Sequence, residues 1–478
     1  MNFNKNTAHG IKWTSVCALV SNILGIVQIS MLARILEKSD FGLMAIVSVV
    51  IGFSDIFIDI GVSNAIIYKD EISKKKLDTL YWINIIVGIL FFAALCMIAG
   101  PLSVYYQSNE LKPLLVLIAA TFLIKPWGQQ HMVLMQKNLQ FDKLAIIEML
   151  ARLVAFCFTI LAAYLGMRVY SLAIGMIILS LVSSVGYIIK SDVERMPLSY
   201  FNLKEVKDEV RYGLYQLGEK ILNYCSYQFD TILIGRLLGL DVLGLYNISN
   251  SLAGKVFNLI NPIAIKVTYP VMARLKKDKE QLNNYHLLKL KFISYITFPL
   301  YTFFFVMAVP VVYVLLGKQW TNASSIFSAL SFSYIILTIS NPNGTLLLSV
   351  GKVKETFYWN FYSVIVYPLS ILIGSTYGLF GIIYALVIMR FINYFVSIHY
   401  LVKPASGLTV ISTMSVFLKP ALFSLCCALI TYVSVYYITS FMVSLIVGGV
   451  VYFLLFVSLV YVFDRATANE ILQLVGFS

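Results

Sequence analysis

Long apolar stretches separated by short polar breaks run along the whole chain. Fourteen such stretches can be drawn, over 13–35, 41–67, 81–99, 111–134, 144–165, 171–189, 213–238, 245–270, 289–316, 323–349, 355–376, 379–401, 418–440 and 442–463. About 20 apolar residues in a helix cross a hydrocarbon layer of about 30 Å. Strands of a β-barrel would instead show alternating segments of about ten residues. The pattern therefore predicts an all-α polytopic membrane protein with about 14 transmembrane helices. Gly100-Pro101, Lys403-Pro404 and Lys419-Pro420 are expected to break it.

Charge gives the predicted helices a direction. With the N-terminus cytoplasmic, 24 of the 36 Lys and Arg fall in the cytoplasmic tails, loops and adjoining span ends, against 6 in the opposite loops and their adjoining span ends. Such a bias predicts both the N and C termini in the cytoplasm. Lys5 and Lys12 precede an apolar run too long for the 7–15 residues of a signal h-region, so the first segment is expected to stay in the membrane. Only 12% of residues are charged and 59% are hydrophobic. A soluble domain carries about 25% charged residues, so a water-soluble enzyme, a disordered scaffold and a nucleic-acid-binding domain are excluded. The net charge of +13 thus reports orientation rather than an acidic partner. The six cysteines lie in apolar runs with neither disulfide nor metal spacing.

A repeat divides the chain. Arg34-Ile-Leu-x5-Gly42-Leu43 recurs 202 residues later as Arg236-Leu-Leu-x5-Gly244-Leu245. Both copies follow the first span of a six-span half, which predicts two parallel six-helix repeats with a substrate path where they meet. The expected organisation is an N-lobe over 1–189, a polar cytoplasmic linker over 190–212, a C-lobe over 213–401, and an appended helix pair with a tail over 402–478.

Charges within the spans are the candidates for function, since an ion at the bilayer centre costs at least ~2.5–3.5 kcal/mol and so faces a cavity or a partner. Span 2 carries Ser48, Gly52, Asp55, Asp59 and Ser63 on one helical face. Span 8 carries Ser251, Lys255, Asn258, Pro262 and Lys266 at the same spacings. Span 7 presents Gln216, Lys220, Asn223, Tyr227 and Asp230, and span 1 presents Thr14, Ser21, Gly25 and Gln28. Together these faces describe a wet cleft between two lobes. Lys125 and Arg390 are deep and lack a local partner in sequence. Structural readings stand beside the functional ones. Lys266 can snorkel to the interface, Glu148 and Arg152 can pair at i, i+4, and Asp55 and Asp59 can be fixed bridges to lysines of span 8. Asn341-Pro342-Asn343-Gly344 and Asn261-Pro262 open the helical ladder, as hinges or as plain kinks.

Several chemistries are missing. There is no phosphate-binding G-x-x-x-x-G-K-[ST], the four histidines are scattered, and no predicted outer loop is large enough to hold a polymerase's substrates. No cofactor and no metal are expected.

The segments QISMLARILEKSDFGLMAIV, FIDIGVSNAII and YQFDTILIGRLLGLDVLGLYNISNSL resemble the polysaccharide transporter branch of the multidrug/oligosaccharidyl-lipid/polysaccharide flippase superfamily, over essentially the whole chain. The resemblance implies a flippase of the bacterial cytoplasmic membrane, not an enzyme. Its implied substrate is an undecaprenyl-pyrophosphate-linked oligosaccharide for O-antigen, colanic-acid or teichuronic-acid type polymers, moved by alternating access between two lobes that form a V-shaped cleft. Polymerase and chain-length machinery are its implied partners besides membrane lipids, and an H+ or Na+ gradient or the membrane potential its drive. On this reading Lys220, Lys255, Lys125, Arg390, Gln28, Gln216, Asn223 and Asn258 line the substrate path, and Asp55, Asp59 and Asp230 couple it to an ion. The alternatives are a multidrug and toxin extrusion antiporter, against which the stripe lysines and two additional spans argue, and a membrane-embedded glycosyl- or acyltransferase.

Overall fold

The computed structural model describes residues 3–58, 66, 72–191, 200–465 and 467. Among them every regular element is helical. The first compact unit is Met1–Gly244. It holds α1 (Phe3–Leu32), α2 (Lys38–Ile58), α3 (Lys74–Tyr105), α4 (Leu111–Lys137), α5 (Phe141–Tyr164), α6 (Val169–Lys190) and α7 (Lys207–Leu237). Here α3 packs on α4, α4 and α5 on α6, α1 on α5, and α2 on α7. The second unit, Leu245–Ser478, holds all but the first turn of α8 (Leu240–Leu275). It continues with α9 (Lys279–Val306), α10 (Ala308–Leu316), α11 (Ala323–Ser349), α12 (Val353–Ser375) and α13 (Gly378–Ser397). A π-helical turn (Ile398–Val402) and α14 (Lys403–Ser406) follow, then α15 (Val410–Val435) and α16 (Phe441–Phe463). In this unit α9 packs on α11 and α15, α11 and α12 on α13, and α15 on α16.

Each of the fourteen predicted stretches overlaps one or more of these helices. Among the described residues ten helices are long and apolar enough to cross a membrane, or eleven when the bent pair α9–α10 counts as one span. The protein is thus a multi-pass helical membrane protein. The helices over predicted spans 1, 7 and 8 do not meet that measure. The described apolar part of α1 is only Leu19–Leu32, and α7 and α8 carry the polar stripes noted above.

Three sequence expectations change. Predicted span 9 is two helices at 81°, because Pro310 lies in the first turn of α10 and its ring would clash with the Val306 carbonyl of a continuous helix. Pro101 and Pro420, by contrast, end nothing: α3 and α15 run straight through them. A proline in a membrane helix forfeits one ladder bond, a loss that neighbouring helices and local adjustment absorb. The break at Lys403-Pro404 does coincide with an interruption, where the π turn passes into α14 and Gly407 closes it at φ +88°. Most of the 190–212 linker can be placed, but 192–199 lies outside the described residues.

Polar side chains fix the helix ends. Asp278 caps α9 by accepting from the Gln281 N–H at 3.1 Å, and Thr409 and Ser412 form a reciprocal capping box on α15. Arg168, before α6, holds a backbone φ of +44°. Its guanidinium reaches Glu37 at 2.9 Å, Asp40 at 3.3 Å and Glu110 at 3.6 Å, tying three chain turns together. The Asp40 carboxylate first, then Glu37 and Glu110, raise the Arg168 pKa above its usual value.

After α16 the chain is pinned by Asp464, which is buried, accepts from the Tyr295 hydroxyl, and lies 3.4 Å from Lys419 Nζ. Burial pushes this carboxyl upward, but the Tyr295 hydroxyl with Lys291 and Lys419 outweighs it and holds the pKa below the ordinary carboxylate value. A depressed folded pKa means that stabilisation is full above the unfolded value of about 3.9 and disappears as pH falls through the folded one. The thermal midpoint of the wild type is therefore expected to drop more steeply than that of Asp464→Asn on acidifying from about pH 5 to pH 3. Parallel curves would remove Asp464 from the acid response.

Candidate functional site

In the first unit α2, α4 and α6 each place a polar side chain at one spot. Lys125 of α4 donates to both carboxylate oxygens of Asp55 of α2, at 2.8 Å each. Both side chains keep some exposure, 29% for Lys125 and 41% for Asp55, because they border a cavity of about 300 Å³. Gln129 and Met132 of α4 and Ser183, Ser184 and Tyr187 of α6 complete its lining. Glu148 and Arg152 of α5 lie within electrostatic reach of Tyr187.

Local sequence explains the arrangement. Lys125, Gln129 and Met132 follow one another at i, i+4 and i+7, so one face of α4 carries them. Gly128 lets α6 close on α4: a Cβ there would stand 2.5 Å from Ser184 Cα. That contact brings Ser183 and Ser184 beside Gln129. One turn before Asp55, α2 meets α7. The Tyr224 hydroxyl donates to the Val49 carbonyl at 2.8 Å and lies against Gly52. The predicted polar face of span 2 thus turns toward two neighbours, Tyr224 at Gly52 and Lys125 at Asp55.

Chemically the site is a neutralised ion pair beside hydroxyl and amide groups. Paired, it presents hydrogen-bonding groups suited to sugar hydroxyls. Separation of the pair would leave the Lys125 ammonium available to an anion. The pair is solvated enough that its own contribution to stability is small, so its place in a membrane helix calls for another explanation.

The other sequence candidates fall as follows. Arg390 of α13 donates to Ser333 Oγ of α11 at 2.6 Å in the second unit. Asp230 of α7 accepts from the Thr231 N–H at 2.6 Å. Gln28 of α1, Lys220 of α7 and Lys255 of α8 are partly buried, each lysine engaged with protein groups, and Asn258 is exposed. Asp59 and the side chains of Gln216 and Asn223 lie outside the described residues. The structure brings Asp55 and Lys125 together. Sequence reading missed Gln129, Ser183, Ser184, Tyr187 and Tyr224. The helical spacing of Gln129 from Lys125 and of Tyr187 from Ser183 was the available signal. Among the described residues no group of three or more His, Cys, Asp or Glu could hold a metal ion.

Comparison with known proteins gives a consistent result. A family model described as polysaccharide biosynthesis protein matches residues 31–325. The chain is 31% identical over 468 residues to an uncharacterized membrane protein in the cps region of Klebsiella pneumoniae, covering 95% of each. It is 29% identical over 421 residues to the lipopolysaccharide biosynthesis protein WzxC of Escherichia coli (strain K12), covering 85% of this chain and 83% of that one. The fold is similar to that of the lipid II flippase MurJ in an inward closed conformation, with a TM-score of 0.75 at 16% identity over 94% of this chain and 98% of that one.

Proposed function

The chain belongs to the polysaccharide biosynthesis protein family, and from that premise we propose that it moves a lipid-linked oligosaccharide from the cytoplasmic to the outer leaflet of a bacterial cytoplasmic membrane. It is a membrane transport protein of the multidrug/oligosaccharidyl-lipid/polysaccharide superfamily, not an enzyme. The observation that carries the proposal is the Asp55–Lys125 pair on a cavity of about 300 Å³, bordered by Gln129, Ser183 and Ser184 and walled by three membrane helices. A lysine that can be released from its carboxylate suits a pyrophosphate, and Gln129, Ser183 and Ser184 suit sugar hydroxyls.

In this reading the substrate is carried on undecaprenyl pyrophosphate and serves a surface polysaccharide of O-antigen, colanic-acid or teichuronic-acid type. Fourteen crossings in two six-helix repeats plus a terminal pair place both ends in the cytoplasm. The recurrence of the α3–α4, α4–α6 and α5–α6 pairings as α9–α11, α11–α13 and α12–α13 supports the repeats. Transport proceeds by alternating access, driven by H+, Na+ or the membrane potential. Lys125, Lys220, Lys255, Arg390, Gln28, Gln216, Asn223 and Asn258 serve the substrate, and Asp55, Asp59 and Asp230 serve the coupling ion.

The test is expression in strains that each lack one flippase. One surface polysaccharide is expected to return while its lipid-linked intermediate disappears from the inner leaflet. Drug resistance regained with no glycan phenotype in any strain would overturn the proposal.

A further inference from the structure

The second unit buries basic and amide groups that transport as described does not use. Leu282, His286 and Leu290 stand at i, i+4 and i+8 on one face of α9. Leu282 packs with Leu346 of α11 and Val402 of the π turn, whereas Leu290 packs with Ile339 of α11 and Ile398 of the π turn. His286 therefore lies in a polar layer between two apolar ones. Asn343 of α11 enters the same layer, midway between Ile339 and Leu346, and its amide points to Ser397 Oγ at a long 3.5 Å. Lys289 follows His286 by one turn.

These groups are deeply enclosed, with His286 at 0%, Asn343 at 4% and Lys289 at 6% exposure. Nevertheless, neither ring nitrogen of His286 nor the ammonium of Lys289 makes a well-formed hydrogen bond among the described residues, although the Asn343 side chain is within hydrogen-bonding reach of the ring and Lys289 within electrostatic reach of it. No carboxylate pairs with Lys289 there either. A buried polar atom left unpaired costs about 1–3 kcal/mol, and an unpaired charge costs more. Three donors of Lys289 go unused and, among the described residues, no acidic group pairs with them, so an anion is the chemistry that would complete the layer. Two neighbouring elements depart from regular α-helix. Pro342 withholds a ladder bond from α11 next to Asn343, and the π turn begins one residue after Ser397.

We propose that His286, Lys289 and Asn343 form a binding site for one small monovalent anion of the halide class, buried between α9, α11 and the π turn of the second unit. Lys289 supplies the countercharge, and His286 and Asn343 supply N–H donors. The site is separate from the Asp55–Lys125 cavity and does not depend on the nature of the transported glycan.

Purified full-length protein in nanodiscs, held at constant pH and ionic strength, tests this with chloride exchanged against gluconate. Chloride is expected to raise the thermal midpoint saturably by at least ~2 °C, as a ligand of the folded state does. Radiolabelled chloride should bind near one per chain in competition with bromide. Lys289→Gln should lose both responses, and His286→Gln should weaken binding by about tenfold, the worth of one hydrogen bond to a charged group. Equal midpoints in chloride and gluconate, or a Lys289→Gln protein that binds chloride as the wild type does, would overturn the site and leave the layer to water. Should Lys289→Gln fail to fold, the labelled-chloride stoichiometry of the wild type decides alone: a value near zero refutes the proposal.

Discussion

Lys125→Met, Asp55→Asn and the double variant are all expected to insert and fold, and all three to lower export of surface polysaccharide at least tenfold, or about 1.4 kcal/mol of the transport barrier. The pair is partly solvated beside its cavity, so each single variant leaves a charge that water can reach. Folding therefore survives the loss of one partner. Transport does not, because on the proposed reading the lysine must bind the substrate's anionic head, and the carboxylate must hold it until that moment. Asp55→Asn should in addition lose whatever dependence on pH or sodium the wild type shows. The three variants separate this reading from a structural bridge. A bridge would make each single variant unstable and let Asp55→Asn/Lys125→Met recover both abundance and export. Membrane abundance measured by fluorescent fusion, beside surface polysaccharide, reads both quantities. Wild-type export by the double variant would take the pair out of the transport cycle.

How much of this was legible in the sequence depends on the range of the interaction concerned. Membrane helices follow from local apolar content, so stretches such as 144–165 and 442–463 match α5 and α16 closely. Proline breaks were misjudged at Pro101 and Pro420, because whether a helix survives a proline depends on what surrounds the freed carbonyl, which the sequence does not show. The site shows the same division. Periodicity marked Asp55 as one member of a polar face, and charge marked Lys125 as deep. Nothing local says that α4 rather than α8 supplies the lysine, since the two residues are 70 apart and the choice is made by helix packing. That packing rests on small residues such as Gly128, whose meaning appears only once Ser184 is seen against it. The polar layer of His286 and Asn343 was equally hidden, because an isolated histidine carries no spacing signal and the Asn-Pro-Asn-Gly motif reads as a hinge or a kink, not as a binding group.

The repeat motif yields the other large effect. Gly42 and Gly244 occupy equivalent places in its two copies, and so do Lys38 and Leu240, each pair 202 residues apart. In the first unit these four residues meet reciprocally. A Cβ on Gly42 would stand 2.1 Å from the Leu240 carbonyl oxygen, and one on Gly244 would stand 1.9 Å from that of Lys38. The first turns of α2 and α8 therefore cross backbone to backbone. Because the obstructing atoms are main-chain, no side-chain rotamer relieves the clash, and even alanine must push the helices apart. Gly42→Ala and Gly244→Ala are each expected to cost ~1–3 kcal/mol, the range for forced overpacking, with a matching fall in thermal midpoint. The reciprocal geometry makes a sharper demand. Either alanine opens the same crossing and so removes most of the obstruction at the other glycine. The double variant should then cost much less than the sum of the singles, a coupling of the kind that contacting residues show. Additive losses would mean that the two glycines act independently. Midpoints equal to the wild type in both single variants would mean that the crossing is not close-packed at all.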